Sequence, residues 1–287
     1  MGETIILSSG DAEAFIDLRG AELLGWRVHG ADLLWQPEAA VWNATAPILF
    51  PVVGWTREGR VRVGGKTYPL GLHGFASARD FQVERRSGHE VWLRLDADEA
   101  TKALYPFAFS LTAHYALKGG SLTATLIVDN RDEVPMPYAC GLHPGFTFSW
   151  RKGTILFDGE EEAEVPLISR NGLFLPQKRV LPIEGRRLDL SAELLAEEAL
   201  CFLNVRSRGL TFWQEGHPLL RVDFDQFAHL ALWARPPAPF LSIEVWTGHG
   251  DPEGFDGDLY TKPSMRVLRP REQARHAVTW SFCRETV

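Results

Sequence analysis

Three side chains in this sequence have the types needed to move protons. They are His73 in "GLHGF", His143 in "GLHPGF" and Glu244 in "FLSIEVWTG". An imidazole can deliver a proton near neutral pH and a carboxylate can accept one, which is the equipment of general acid–base catalysis. Each also has an ordinary reading: a histidine among glycines as a structural turn residue, a strand glutamate as a solvated charge. Period-two alternation puts Leu241, Ile243 and Val245 on one face of a strand and Ser242, Glu244 and Trp246 on the other. A carboxylate sharing a face with an indole suits a sugar, whose C–H faces stack on aromatic rings and whose hydroxyl edges need polar partners.

Other chemistries fit less well. "GGKT" (Gly64 to Thr67) resembles the end of a phosphate loop, but Arg60 stands where that loop requires its first glycine, and the phrase lies between two candidate strands. The nine histidines include no HxxxH with a neighbouring glutamate, so no metal site is expected. A GxSxG elbow is absent too. Cys140, Cys201 and Cys283 are too few and too scattered for a disulfide framework, and Cys140 reads as a small packed residue. A net charge of −7 argues against a nucleic-acid partner. The start of the chain does not read as a secretory signal, and no apolar run approaches the ~20 residues that span a bilayer. The expectation is a cytoplasmic protein with no membrane partner.

The elements that must position these groups are strands. "VWLRLDAD" alternates Val91, Leu93 and Leu95 against Trp92, Arg94 and Asp96. "SLTATLIVDN" and "LLRVDFD" repeat the pattern through Leu122, Ala124, Leu126 and Val128, and through Leu220, Val222 and Phe224. Gly64-Gly65 and Gly119-Gly120 read as hairpin turns between strand pairs. The best helical pattern is "DLSAELLAEEAL", with Ser191 as a cap for a short helix running towards Leu200. Many short strands, 18 prolines and few helices predict an all-β fold, a large antiparallel β sandwich with short helical insertions. With no linker in evidence, residues 1–287 read as one domain.

Five phrases in order carry a resemblance: "PILFPVVG" (Pro47 to Gly54), "GGKTYPLGLHGFA" (Gly64 to Ala76), "LYPFAFSLTAHYAL" (Leu104 to Leu117), "CGLHPGF" and "APFLSIEVWTG". Together they resemble the aldose 1-epimerase, or galactose mutarotase-like, family, and most of all its bacterial LacX-like branch. The similarity runs from about Trp42 to the C-terminal region, including Lys262. It implies a sugar cleft across one sheet of the sandwich and a monosaccharide substrate whose anomers are interconverted without a cofactor. It further implies Glu244 as catalytic base, His143 as catalytic acid and His73 as a histidine that binds and polarises the sugar; Trp246, on the Glu244 face, is a candidate binding residue from its own chemistry.

The chain departs from that branch at Trp55, where an arginine is usual, and after Ala76, where the next arginine is Arg79. Arg57 and Arg79 are therefore candidate sugar-binding groups, since a guanidinium fork can hold hydroxyls or a phosphate. Val245 replaces a proline the family often carries. An epimerase of phosphorylated sugars and a non-catalytic carbohydrate-binding module are the alternative readings. A glycosidase would require a second carboxylate opposite Glu244, for which Asp223 and Asp225 are candidates.

Overall fold

The computed structural model describes residues 3–283 of the chain, about half of it in strands. Ten antiparallel strands form the largest sheet, in the order Ile183–Glu184, Arg187–Leu190, Gly153–Phe157, Gly209–Gln214, His217–Asp225, Gln273–Phe282, Ser121–Asn130, Phe109–Lys118, Glu90–Asp96 and Gln82–Arg86. A second sheet runs Leu200–Phe202, His229–Trp233, Phe240–Trp246, Gly141–Leu142 and Ile48–Leu49, and Gly145–Thr147 also pairs with Phe240–Trp246. Four N-terminal strands, Thr4–Ser9, Ala12–Asp17, Leu23–Val28 and Ala31–Asp32, make a meander of their own.

The period-two pattern is what buries one face of each strand. Val91, Leu93 and Leu95 are buried, as are Leu122, Ala124, Leu126 and Val128, and Leu220, Val222 and Phe224, at the positions alternation predicts. From the second sheet, Leu241, Ile243 and Val245 enter the same apolar cluster. Aromatic contacts join the two sheets, with Phe146 and Trp280 ring centroids 6.1 Å apart and those of Phe157 and Phe202 5.2 Å apart. Burying each such side chain contributes about 1.5–3 kcal/mol. The sandwich is therefore held by the faces that alternation identifies.

Both diglycine hairpins form as expected. Gly64 and Gly65 turn Arg60–Val63 back along Lys66–Pro69 with φ of 58° and 78°, values that only a residue without Cβ adopts freely. Gly119-Gly120 closes Phe109–Lys118 onto Ser121–Asn130. The expected helix at Ser191 does not form: residues 192–198 are turns and bends. Ser191 Oγ still accepts the Leu194 N–H at 3.1 Å, as a cap would. The segment joins two strands of different sheets, and the burial of Leu195 decides its path over helix propensity. The α-helix that does form is the single turn Glu99–Lys102, capped by Asp98, whose side chain accepts the Thr101 N–H at 2.7 Å. Among the described residues, no helix is long and apolar enough to cross a membrane.

Candidate active site

Glu244 lies mid-strand in Phe240–Trp246, opposite Ala231 in the register with His229–Trp233. All seven residues of its strand are buried. One face enters the sandwich core, and on the other Glu244 is 2% exposed, so it is not the solvated strand carboxylate that its sequence position alone allows. Trp246 Nε1–H donates to Glu244 Oε2 at 3.0 Å. The other carboxylate oxygen, Oε1, stands 3.2 Å from His143 Nε2. Burial pushes the Glu244 pKa well above its usual range, with the Trp246 hydrogen bond working against that shift.

His143 sits between Gly141–Leu142 and Gly145–Thr147, two short strands that both pair with the Glu244 strand. The phrase "GLHPGF" is thus an interrupted strand, not the bend its glycines suggest. Neither glycine has a positive φ; they are needed for close approach. A Cβ on Gly141 would lie 2.7 Å from Trp246 Cδ1, and one on Gly145 would lie 2.6 Å from Trp42 Cζ3. Trp42 and Trp233 flank the imidazole, with centroids 5.0 Å and 5.3 Å from it. Its Nδ1 is 2.9 Å from Ser242 Oγ. Burial, and secondarily the nearby His73, lower the His143 pKa well below the ordinary histidine value.

His73 is in a turn, as "GLHGF" suggests, and itself adopts φ of 59°. Gly74 follows with φ of 74°, and a Cβ there would meet the Phe50 carbonyl oxygen, so both the backbone conformation and the close approach require glycine. The Gly54 N–H donates to His73 Nδ1 at 3.1 Å, so the neutral ring carries its proton on Nε2. Burial lowers the pKa to about 4. His73 and His143 meet edge to face with centroids 5.6 Å apart. The structure therefore brings together His73, His143, Glu244 and Trp246, residues up to 173 positions apart in sequence.

The two arginines are not part of that group. Arg57 donates to the carbonyls of Gly254 and Phe255 at 3.4 and 3.5 Å, while its backbone N–H donates to Asp251. Arg79 lies over Phe75, its guanidinium carbon 5.8 Å from the ring centroid. Neither guanidinium contacts Glu244, His143 or His73. Asp223 and Asp225 are exposed on a strand of the ten-stranded sheet, where Asp223 pairs with Arg221, so neither is the second carboxylate of a glycosidase.

Several site residues were not singled out by sequence. Ser242 shares the Glu244 face but touches His143, 99 positions away. Trp42 and Trp233 come from separate segments, and only the fold brings them to the imidazole. Beyond Trp246, His229 and His249 stand 5.3 Å apart by centroid. His229 Nδ1 accepts the Asn204 N–H at 3.0 Å, and His249 Nδ1–H donates to Gly250 O at 2.8 Å. Lys262 and Asp251 form a buried ion pair at 2.7 Å that ties the loop after the glutamate strand to the Arg57 backbone. Cys140 and Cys201 are buried thiols, the first pushed up to about 12 by desolvation. Among the described residues, no three His, Cys, Asp or Glu side chains gather as a metal-holding group.

Comparison with known proteins identifies the family and the fold. The family model described as Aldose 1-epimerase matches residues 3–198. The chain is 29% identical over 262 residues to the chromosomal LacX protein of Lactococcus lactis subsp. lactis, covering 86% of this chain and 88% of LacX. A galactose mutarotase-like protein of Lactobacillus casei superposes with a TM-score of 0.92 at 28% identity, over 97% of this chain and 99% of that one. A galactose mutarotase related enzyme of Lactobacillus acidophilus has the same fold, with a TM-score of 0.90 at 24% identity over 99% and 98% of the two chains.

Proposed function

As the chain belongs to the aldose 1-epimerase family, we propose that it interconverts the α and β anomers of a free hexose or similar aldose by acid–base ring opening and reclosure. The observation that carries this reading is the direct contact between His143 Nε2 and Glu244 Oε1, 3.2 Å long and almost wholly removed from water. An imidazole and a carboxylate in direct contact are the acid and base that the two oxygens of a hemiacetal require.

In the forward direction, starting with the proton shared by the pair on His143, Glu244 takes the proton of the C1 hydroxyl while His143 Nε2–H protonates the ring oxygen. The C1–O5 bond breaks and a free aldehyde forms. Rotation about C1–C2 presents the other carbonyl face. On reclosure His143 recovers the proton from the ring hydroxyl and Glu244 returns one to O1, so the pair ends as it began. No electrons are gained or lost by the sugar, and the chemistry requires no redox cofactor. Each positioned transfer is worth about 10² to 10⁴ in rate.

His73 enters as a neutral donor. Its low pKa and the Gly54 N–H on Nδ1 leave Nε2–H to hydrogen-bond a sugar oxygen without a change of protonation. Trp42 and Trp233 supply aromatic surface beside His143, suited to the C–H face of a pyranose. Trp246 is spent on orienting the carboxylate.

The test is anomer exchange, followed by polarimetry or NMR over a panel of aldoses and aldose phosphates, for the native chain, Glu244→Gln and His143→Asn. Acceleration by the native chain that both substitutions abolish is expected. Equal acceleration by all three would remove the mechanism. Sugar binding without exchange by the native chain on any member of the panel would favour a binding module.

A further inference from the structure

We infer that Ser242 is a positioning residue which, backed by the Pro144 carbonyl, holds His143 with a proton on Nδ1 and so reserves Nε2 for the proton exchanged with Glu244 and the sugar. This rests on the acid–base reading above, but its evidence is a hydrogen-bond count.

Ser242 Oγ is fully buried and makes two contacts of equal length, 2.9 Å to His143 Nδ1 and 2.9 Å to Pro144 O. A hydroxyl has one hydrogen to give and lone pairs to accept with; a carbonyl oxygen can only accept. Were the hydroxyl hydrogen directed at Nδ1, two oxygens bearing only lone pairs would face each other at 2.9 Å without water to separate them. Directed at Pro144 O, it satisfies that contact and leaves a serine lone pair for Nδ1–H. The Ile243 N–H also approaches Pro144 O, at 3.3 Å, and a carbonyl has two lone pairs, so both donors are accommodated. One arrangement satisfies every atom, and in it Nδ1 carries the proton.

The consequence falls on Nε2. With Nδ1 occupied, a neutral His143 has its lone pair on Nε2, and the proton across the 3.2 Å gap to Glu244 Oε1 is the single mobile one. When that proton sits on Nε2 the ring is an imidazolium; giving it to the sugar ring oxygen returns a neutral imidazole. The opposite tautomer would have to become an imidazolate to donate from Nε2, a far weaker acid. Ser242 thus makes His143 able to give and retake a proton without passing through an anion, as a third group does for the base of a catalytic triad.

The experiment is ¹⁵N NMR of histidine-labelled protein, in which long-range ¹H–¹⁵N correlations separate protonated from lone-pair ring nitrogens, with His143→Asn assigning the signals. A protonated Nδ1 in the resting native protein between about pH 6 and pH 8 is expected, whichever state Nε2 shows. A lone pair on Nδ1 would overturn the proposal, and this readout needs no sugar, so it stands apart from any failure to find a substrate. Ser242→Ala should move part of the population to the Nε2–H tautomer and lower kcat about 10- to 100-fold with little change in KM. Ser242→Thr, which keeps the hydroxyl, should restore both. An alanine variant with unaltered tautomer and kcat would also overturn it. Should that variant fail to fold, the native tautomer alone decides.

Discussion

Trp246 and Glu244, two positions apart on one strand face, are joined by an indole N–H to carboxylate bond of 3.0 Å. It is a charge-assisted bond in the ionised state, and it is the one group that lowers the Glu244 pKa against the pull of burial.

Trp246→Phe keeps the ring and removes the donor. The carboxyl pKa should rise further, so the alkaline rise of the pH–rate profile should move to higher pH. A hydrogen bond to a charged group is worth about 1.5–3 kcal/mol, which corresponds to a fall in kcat of about 10- to 100-fold at neutral pH. Anomer-exchange rates across pH check it, and an unshifted profile would mean that the indole only packs.

Three desolvated histidines, His229 and His276 buried and His73 partly so, predict loss of stability in acid. His73 and His276 have pKa values lowered to about 4 and His229 to about 3, all chiefly by burial. An unfolded histidine titrates near 6.5, so below that pH the unfolded chain binds more protons than the folded one. Their stabilisation is complete above about pH 6.5 and is lost as pH falls towards 4, at up to about 1.4 kcal/mol per pH unit for each histidine. Glu244, with a raised pKa, acts in the opposite sense: its contribution declines as pH rises above about 4.5. Urea midpoints between pH 7 and pH 4.5 should fall in the native chain, and more steeply in Glu244→Gln, where the opposing group is gone.

Gly141→Ala should cost both fold and activity. The added carbon would stand 2.7 Å from Trp246 Cδ1 and 2.9 Å from Val245 O, so the indole or the strand must move. Overpacking of this kind costs about 1–3 kcal/mol, and displacing the indole also loosens its hold on Glu244. Thermal melting with parallel anomer-exchange assays tests the pairing of the two losses.

Lys262→Met should leave Asp251 buried without its cation and cost about 3–5 kcal/mol. Replacing Asp251 as well with an apolar residue should recover part of that loss, because the penalty lies in the orphaned charge. Denaturant unfolding of the two single variants and the double variant measures this directly.

The fold was readable in the sequence wherever burial alternates with period two, as in Glu90–Asp96 and Ser121–Asn130, and wherever glycine pairs fix a hairpin. The "DLSAELLAEEAL" segment misled because its helix-forming residues compete with burial of Leu195 between two sheets. At the site, His73, His143, Glu244 and Trp246 stood out as chemistry-bearing types in unusual phrases. The Ser242–His143 contact could not be read, since the register that joins residues 99 apart exists only once Gly145–Thr147 lies on Phe240–Trp246. For the arginines, sequence nearness to a site motif does not determine where a long side chain is held, and the Arg57 guanidinium is held by carbonyls of the 254–255 loop.

The strand that carries Glu244 is buried on both faces, which limits how this protein can acquire new sugar preferences. A slip of one residue in its pairing would exchange the face of Ile243 and Val245 with that of Glu244 and put the carboxylate into the apolar core, so the register of the strand is fixed. Variation in selectivity must therefore come from groups anchored elsewhere, such as Trp42 and Trp233. On the proposed reading, the acid–base pair is tied to the sheet register, while the aromatic residues beside it can vary without disturbing that register.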